Sequence, residues 1–306
     1  MKTVYVAGHT GMVGSAICKS LEQDGVIVLK KTSKELDLRD QLSTNTWLQE
    51  SKPDAVIIAA AKVGGIHANN TYPAEFIYDN LTIASNLIHS SYKAGVNKLI
   101  FLGSSCIYPK FAEQPIQESS LLTSLLEPTN EAYAIAKIAA LKLCQYYRKQ
   151  YNIDYHSVMP CNLFGEGDNY HPDNSHVLPG LIRRFHEAKV NNKQDVTMWG
   201  TGTPLREFLF AGDLAKIIVK LLTKTDLPDW LNIGSDDEYT IRELAEMVKS
   251  VVGFEGDIIL DSTKPDGTPR KKMDNTLLKN IVDVEYTEFS KGLELAYKDF
   301  LRRYTK

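Results

Sequence analysis

The chain has little that would mark a metal-bound, disulfide-bonded or membrane-embedded protein. Only four cysteines occur in 306 residues, Cys18, Cys106, Cys144 and Cys161, and they form no CxxC pair. No histidines or cysteines have the spacing of zinc ligands, so we predict four reduced thiols and no metal site. No apolar run approaches the ~20 residues that a membrane helix needs, so we expect no membrane association.

The chain also lacks an excess of either charge. Lys and Arg number 35 and Asp and Glu number 38, which gives a net charge of -3. A protein built around nucleic acid usually carries a clear positive excess, so we expect no nucleic-acid partner. The first residues (MKTVYV) enter a strand pattern directly, without the layout of a signal peptide. We therefore expect a cytoplasmic protein.

Strand and helix patterns alternate over the first two-thirds of the sequence. Apolar runs at 4–7, 26–29, 55–60 and 99–103 are typical of strands that are buried on both faces. Helix patterns fill the intervals, for example at 80–94. This alternation predicts an α/β fold with a Rossmann-type, doubly wound parallel sheet.

The pattern changes near residue 166, where polar loops and turn-rich links become frequent. We predict a dinucleotide-binding domain over 1–165, with returning segments near 205–235. Residues 166–306 would form mainly a smaller C-terminal substrate-binding domain over the open end of the sheet. A capping-box motif at 240–243 predicts a helix that runs to Val252.

A glycine-rich loop lies between the first strand and the first helix, at residues 8–14 (GHTGMVG). Glycines there permit a tight turn and a close approach of the backbone to a pyrophosphate at the helix N-terminus. The alternative is a plain tight turn, for which three glycines spaced three apart are not needed. The candidate cofactor contacts in this loop are Gly8, His9, Thr10, Gly11, Met12, Val13 and Gly14.

The end of the second strand carries lysines where many NAD-binding proteins have an acid. Residues 30–34 read KKTSK, and cations with a hydroxyl suit a ribose 2′-phosphate, which an acid would repel. The predicted cofactor is therefore NADP(H), although a solvated lysine cluster is the alternative interpretation. The candidate contacts are Ser33 and Lys34, followed by Asp37 and Leu38 near the adenine.

A serine, a tyrosine and a lysine have the spacing of an acid–base site. Ser104 follows a buried strand, and Tyr133 and Lys137 share one helix face at i and i+4. A nearby ammonium favours the phenolate, so we expect the pKa of Tyr133 to be lowered. The alternative is an exposed Tyr and Lys, which is a common pattern by chance.

Several longer segments resemble a known family. Together they resemble the extended short-chain dehydrogenase/reductases that act on nucleotide sugars, and within these the GDP-L-fucose synthase family. The cysteine after the serine pair and the PDGTPRK segment are the most specific features. The matching segments are spread over almost the whole chain: 59–66 (AAAKVGGI), 69–73 (NNTYP), 103–109 (GSSCIYP), 127–131 (EPTNE), 174–177 (NSHV) and 265–271 (PDGTPRK).

The resemblance implies two reactions in one pocket. GDP-4-dehydro-6-deoxy-D-mannose would be epimerised at C3 and C5 and then reduced at C4 by NADPH to give GDP-L-fucose. Ser104, Tyr133 and Lys137 would be the reductase triad. Cys106 and His176 would be the base and the acid of the epimerisation.

The resemblance also implies how the ligands are held and how the protein assembles. A homodimer is expected through helices 80–94 and 131–148 of two subunits. Cys161 departs from the Thr that such a loop often has, and Thr10 and Ser33 replace basic residues found in some members. The GDP-sugar would contact Arg184, Trp199, Arg206 and Asp266. The further cofactor contacts would be Leu102, Gly103, Ser104, Ser105, Lys137, Pro160, Cys161, Asn162, Leu163 and His176.

Other functions of the same fold stay open at this point. A nucleotide-sugar 4-epimerase would need no Cys and His pair. A 4,6-dehydratase would carry an Asp-Glu pair after its strand-end hydroxyl residue, where this chain has Ser105 and Cys106. A cofactor-sensing binding protein would usually lose the Tyr or the Lys, and both are present. We therefore predict an NADPH-dependent oxidoreductase with epimerase activity.

Overall fold

The computed structural model describes residues 1–172, 174–264 and 266–304, so Pro265 of the PDGTPRK segment lies outside the described residues. The strands are β1 Thr3–Ala7, β2 Ile27–Leu29, β3 Ala55–Ile58, β4 Lys98–Leu102, β5 Asp154–Pro160, β6 Asn162–Phe164, β7 Asp195–Trp199, β8 Leu205–Phe210, β9 Trp230–Ile233, β10 Glu238–Thr240, β11 Asp257–Asp261 and β12 Arg270–Lys271. The helices are α1 Met12–Gln23, α2 Gln41–Ser51, α3 Ile66–Thr71, α4 Pro73–Lys93, α5 Glu131–Tyr151, α6 Val177–Val190, α7 Ala211–Leu222, α8 Ile241–Val252, α9 Thr276–Ile281 and α10 Phe289–Tyr304. Short 3₁₀ turns lie at Ser105–Ile107, Glu118–Ser120 and Pro128–Asn130.

The main sheet has the order β2-β1-β3-β4-β5-β9, and all of its neighbouring strands are parallel. The chain passes from β1 to β2 on one side and returns to β3 on the other. The order therefore reverses at β1 and β3, and ligands of such sheets bind at the carboxyl ends of the strands at this point. The predicted Rossmann-type, doubly wound parallel sheet is confirmed.

Helices cover both faces of the sheet, which explains why a central strand such as β3 (AVII) is apolar throughout. On one face α1 and α7 pack through side chains such as Ile17 and Leu214, both of which are fully buried. On the other face α2, α4 and α5 contribute Leu48, Leu87 and Ala140 to a second apolar core. In the described residues no helix is both long and apolar enough to cross a bilayer.

The later part of the chain builds a separate core around α6, α8 and α10. Its small sheet has β8 at the centre, with β6, β10 and β12 as neighbours. Glu207 on β8 is buried and accepts backbone N–H bonds from Ser235, Asp236 and Met273. These bonds tie the exit of β9 and the residues after β12 to the same strand. The proposed division at residue 165 stays a prediction.

Two helix starts differ from the sequence-based expectation. Helix α1 begins at Met12, directly after the glycine turn, and not at residue 15. Helix α4 begins at Pro73, because proline is pre-organised for the first helical turn and needs no N–H partner there. Asn80 is therefore not an N-cap: it lies inside α4 and makes two hydrogen bonds to the backbone of Lys62. The capping box at Thr240 is confirmed.

Candidate active site

The glycine loop lies against the end of β3, at the point where the strand order reverses. Gly8 has φ +86°, and a Cβ there would lie 2.6 Å from the backbone N of Ala60. A Cβ on Gly14 would lie 2.1 Å from the carbonyl oxygen of Gly8. The two glycines thus bring the first turn of α1 close to the strand end. This leaves a backbone cradle at a helix N-terminus, which fits a pyrophosphate.

The lysines after β2 are only partly free to meet a phosphate. Lys30 forms an ion pair with Glu22 at 2.5 Å, and Lys31 lies 3.8 Å from Glu35. The side chain of Lys34 is exposed and, like that of Ser33, lies at the surface. Of the predicted cluster, Lys31 and the 33–34 pair are therefore the groups that remain for a 2′-phosphate.

The segment expected near the adenine is held in place by charge. Arg39 donates to both carboxylate oxygens of Asp37, at 3.0 and 2.9 Å, and these bonds hold the pKa of Asp37 below its usual range. The carbonyl of Leu38 accepts from the Asn86 amide of α4 at 2.9 Å. Asp37 and Leu38 are thus held in place by Arg39 and by Asn86 of α4.

Ser104, Tyr133 and Lys137 come together where β4 meets α5. The hydroxyl of Ser104 accepts from the backbone N–H of Cys106 at 3.2 Å and is hydrogen-bonded to the phenol of Tyr133. One turn along α5, the Nζ of Lys137 donates to the carbonyl oxygen of Leu102 at 2.8 Å. It lies 5.6 Å from the ring centroid of Tyr133.

The expected lowering of the Tyr133 pKa is wrong for this structure. Burial raises the pKa of the Tyr133 phenol above its ordinary value, and the neighbouring Cys106 raises it further. Burial also lowers the pKa of Lys137 to about 7, because no carboxylate offsets the loss of solvent. An amine that is only partly charged at neutral pH cannot draw the proton from the phenol. Tyr133 is therefore a protonated acid.

Cys106 shows the opposite behaviour in the same cleft. Burial alone would raise the pKa of its thiol, but the charge of Lys271 and three hydrogen bonds outweigh burial, so that the pKa is lowered. The Nζ of Lys271 lies 3.5 Å from the sulfur and the Nδ2 of Asn130 lies 3.4 Å from it. The third bond comes from Ser104. Of the groups in the cleft, the Cys106 sulfur is therefore the one whose deprotonated form is favoured.

Lys271 and Asn130 are contacts that the sequence analysis does not assign. Both occur in the quoted segments 265–271 and 127–131, which is the signal that could have identified them. Lys271 is 165 residues from Cys106 in the chain, and β12 brings it to the thiol by pairing with β8.

His176 lies on a different loop, directly before α6. Its side chain makes no capping bond, and desolvation lowers the pKa of its imidazole. Two residues before His176, the backbone carbonyl of Asn174 accepts a hydrogen bond from the backbone N–H of Gly65 at 3.3 Å. The neighbouring Gly64 lies against Phe76, whose ring contacts that of Tyr133. This chain of contacts links the His176 loop to the Tyr133 side of the site.

The segment from Pro160 to Leu163 runs from the last residue of β5 directly into β6. Cys161 donates its backbone N–H to Ile233 at 2.9 Å, and burial raises the pKa of its thiol well above the ordinary value. Asn162 donates its side-chain amide to the carbonyl of Glu207 at 3.0 Å. Cys161 is thus an inert, packed thiol, in contrast with Cys106. In the described residues all four cysteines are free, and no three metal-binding side chains cluster.

The four residues expected to hold the GDP-sugar lie on the later part of the chain. Arg184 of α6 donates to a β7 carbonyl at 3.2 Å, and Trp199 at the end of β7 is 71% exposed. Burial lowers the pKa of Arg206, although Asp266 partly offsets this. Asp266 also accepts from the backbone and hydroxyl of Thr201, at 2.9 and 2.8 Å. An arginine, a carboxylate and an exposed indole suit a diphosphate, a ribose and a base, respectively.

Comparison with known proteins agrees with this geometry. The model of the NAD dependent epimerase/dehydratase family matches residues 4–234. GDP-L-fucose synthase 1 of Arabidopsis thaliana is 58% identical over 98% of this chain and 93% of its own length. GDP-L-fucose synthase of Escherichia coli (strain K12) is 50% identical over 97% and 96% of the two chains.

The solved structures include a close fold match. The GDP-L-fucose synthetase of Naegleria fowleri, bound to NADP, superposes with a TM-score of 0.92 at 28% identity, covering 100% of this chain and 95% of that one. The similarity to the synthases extends over nearly the whole chain. The chain therefore belongs to the NAD dependent epimerase/dehydratase family and, within it, to the GDP-L-fucose synthases.

Proposed function

We propose that the protein converts GDP-4-dehydro-6-deoxy-D-mannose to GDP-L-fucose by 3,5-epimerisation and NADPH-dependent reduction at C4. One observation carries the proposal: in a single cleft the pKa of Cys106 is lowered and the pKa of Tyr133 is raised. Two titratable groups that are displaced in opposite directions act as a base and an acid at the same pH. The two reactions require these two roles.

The residues that would hold the cofactor fit it. NADPH supplies the hydride for C4 when bound. The turn at Gly8 and Gly14 brings the helix N-terminus close to the strand end, where a pyrophosphate would bind, and a side chain at either position would collide with the backbone of Ala60 or Gly8. Lys31, Ser33 and Lys34 would meet the 2′-phosphate. Lys137 would hold the nicotinamide ribose hydroxyls.

Epimerisation begins with a carbon acid. The protons on C3 and C5 are acidified because each carbon is next to the C4 carbonyl. The thiolate of Cys106, stabilised by Lys271, removes the proton. Ser104 and Tyr133 donate hydrogen bonds to the C4 oxygen as negative charge develops on it, and such donors typically contribute a few kcal/mol each. His176 returns a proton from the opposite face, and its lowered pKa makes its protonated form a readier donor.

Reduction uses the other half of the cleft. When C4 accepts a hydride, its oxygen needs a proton at the same time. Tyr133 stays protonated near neutral pH because burial raises its pKa, and it is hydrogen-bonded to Ser104 beside the same position. Tyr133 therefore delivers the proton, while Cys106 is not required in this step.

The experiment separates the two steps by omitting NADPH. In deuterated water the wild-type protein should incorporate deuterium at C3 and C5 of the keto-sugar. In Cys106→Ser this exchange should be at least a hundredfold slower. A serine hydroxyl is far too weak an acid to be deprotonated near neutral pH, so it cannot act as the base. The variant should still reduce the unepimerised ketone slowly. Cys18→Ser, which changes a buried thiol outside the cleft, is the matched control. Wild-type exchange in Cys106→Ser would refute the role of Cys106.

The assembly and location belong to the proposal as well. We propose a homodimer in the cytoplasm, formed through α4 and α5 of two subunits. Large side chains are exposed on these helices: Tyr78 is 65% exposed, Tyr146 is 59% exposed and Ile135 is 41% exposed. Light scattering at micromolar concentration should give twice the mass of the chain, and a monomer alone would exclude the dimer.

A further inference from the structure

Asn130 breaks a local rule at the start of α5. It occupies the N-cap position, where the side-chain oxygen of an asparagine normally accepts from a backbone N–H of the first helical turn. In this structure the Asn130 side chain makes no capping hydrogen bond. The helix thus forgoes a stabilising contact that this residue type would readily give.

The amide of Asn130 is turned toward the catalytic thiol. Its Nδ2 donates to the sulfur of Cys106 at 3.4 Å. The turn that carries it is held from outside, because Lys110 forms an ion pair with Glu127 at 2.8 Å. Glu127 in turn accepts from the backbone N–H of Thr129. These contacts hold the turn that places Asn130 beside the sulfur.

The other end of this amide has nothing to bind. The Oδ1 atom of Asn130 is buried, and no hydrogen-bond partner for it exists among the described residues. Rotating the amide by half a turn would not help, since the nitrogen would then take the buried position that has no partner. Buried acceptors without a donor are rare, because leaving one unpaired is costly. A ligand donor would satisfy it.

The sugar of the proposed substrate carries such donors. In the 4-keto-6-deoxy sugar, C4 holds a carbonyl and C6 is a methyl group, so that the free hydroxyls are those on C2 and C3. Cys106 must approach a carbon beside the C4 carbonyl, and Asn130 lies next to Cys106. A ring hydroxyl adjacent to the reacting carbon is therefore the donor within reach.

We propose that Asn130 couples the epimerisation base to the sugar, its Nδ2–H holding the Cys106 thiolate and its Oδ1 accepting a ring hydroxyl. Asn130 is a positioning residue for the thiolate and a recognition residue for the sugar. One amide would thereby align the base with the carbon whose hydroxyl it holds. The inference rests on the proposed function for its substrate half, whereas its thiolate half concerns the protein alone.

Two substitutions distinguish the contact of Asn130 with the Cys106 sulfur from its contact with the sugar hydroxyl. Asn130→Asp has the same shape and keeps an acceptor for the sugar, but it removes the donor to the sulfur and adds a negative charge. Asn130→Ala removes both contacts. Gln49→Ala on α2, an exposed amide outside the cleft, is the control. Binding of NADPH by each variant checks that the fold is intact.

The contact between Asn130 and the Cys106 sulfur, the thiolate half of the proposal, is tested by alkylation of Cys106 in the absence of substrate. The rate of Cys106 alkylation by iodoacetamide is measured against pH by peptide mass spectrometry. Both Asn130 variants should shift the profile to higher pH and slow alkylation at pH 7 at least threefold, with a larger shift for Asn130→Asp. The control should match the wild type. An unchanged profile in Asn130→Asp would overturn this half.

The substrate half is read by calorimetry with GDP-L-fucose and with GDP. Asn130→Ala should weaken GDP-L-fucose binding about three- to tenfold, the value of one ordinary hydrogen bond, and leave GDP binding unchanged. Asn130→Asp should retain the wild-type preference for the sugar nucleotide. Equal effects on both ligands, or none, would overturn this half. If the wild type bound GDP-L-fucose no better than GDP, the proposed function and the substrate half would both fail, whereas the alkylation result would stand.

Discussion

Cys106 and Tyr133 lie in the same cleft, but the pKa of Cys106 is lowered whereas the pKa of Tyr133 is raised. Burial raises the pKa of both groups. The Nζ of Lys271 lies 3.5 Å from the Cys106 sulfur, whereas the Nζ of Lys137 lies 5.6 Å from the ring centroid of Tyr133. The difference teaches that a partner charge, rather than the depth of burial, decides which group is the base and which is the acid.

The two lysines of the cleft, Lys137 and Lys271, also differ, in how deeply each is buried. Lys137 is buried without a carboxylate, so its pKa falls to about 7. Lys271 lies on β12 at the edge of the small sheet and is only partly buried. It is this half-buried lysine that contacts the thiol. The lysine beside Cys106 therefore comes from the later part of the chain.

The largest effect should come from removing the acid. Tyr133→Phe deletes one oxygen, which delivers the proton to C4 and helps to hold the oxyanion. Reduction should fall about 10²- to 10⁴-fold, the usual value of general acid catalysis. Oxidation of NADPH in the presence of the keto-sugar measures it.

The comparison also predicts what Tyr133→Phe should leave behind. Deuterium exchange at C3 and C5 depends first on Cys106, so that it should persist at a reduced rate because one oxyanion donor is lost. Binding of the GDP-sugar should remain nearly intact. Retention of more than about a tenth of the wild-type reduction rate would remove Tyr133 from the role of acid.

A smaller effect should follow from removing the cation that makes Cys106 a base. Lys271→Met keeps the length of the side chain and deletes the charge, so the pKa of Cys106 should rise. The acidic limb of the pH profile of deuterium exchange should then move to higher pH, with a loss of about tenfold to a hundredfold at pH 7. Lys193→Met at an exposed position is the control. A pH profile like that of the wild type would mean that burial and hydrogen bonds alone determine the pKa of the Cys106 thiol.

Contacts close in sequence were predicted well because short-range geometry determines them. The glycine loop, the alternating strands and the Tyr133–Lys137 pair all follow from spacings of a few residues. Their positions agree with the structure, apart from the starts of α1 and α4. The start of α4 was missed because Pro73 begins the helix and places Asn80 two turns inside it.

The electrostatics of the site could not be read in the same way. Lys271 reaches Cys106 only because Arg270 and Lys271 pair with β8, a contact between distant parts of the chain. Burial of Tyr133 likewise depends on how β4 and α5 pack, and this reversed the expected direction of its pKa shift. Asn130 was quoted within a family segment, but its orphan oxygen is visible only in three dimensions.

The residues predicted to bind the ribose 2′-phosphate provide a second test of the role of charge, because they should determine the preference for NADPH over NADH. Since Lys30 pairs with Glu22 at 2.5 Å and Lys31 lies 3.8 Å from Glu35, the charge left for a 2′-phosphate comes from Lys34 and, in part, from Lys31. We expect kcat/KM for NADPH to exceed that for NADH at least tenfold, equivalent to ~1.4 kcal/mol. Lys34→Ala should reduce this preference several-fold without changing the rate with NADH. Equal kcat/KM for both cofactors in the wild type would exclude NADP specificity.

The smallest effect concerns the stability of the ligand-free protein. Because the pKa of Lys137 is about 7 in the folded protein and near 10.4 in the unfolded chain, the unfolded chain binds more protons between these values. The cost of burying this amine is therefore fully present below pH 7 and fades as the pH rises toward 10. Lys137→Met should abolish reduction but raise Tm, by about a few degrees more at pH 6 than at pH 9. Lys149→Met, at an exposed position on the same helix, should show no such difference between the two pH values. An equal gain at both pH values would mean that Lys137 carries its charge in the folded protein, which would weaken the contrast between the two lysines.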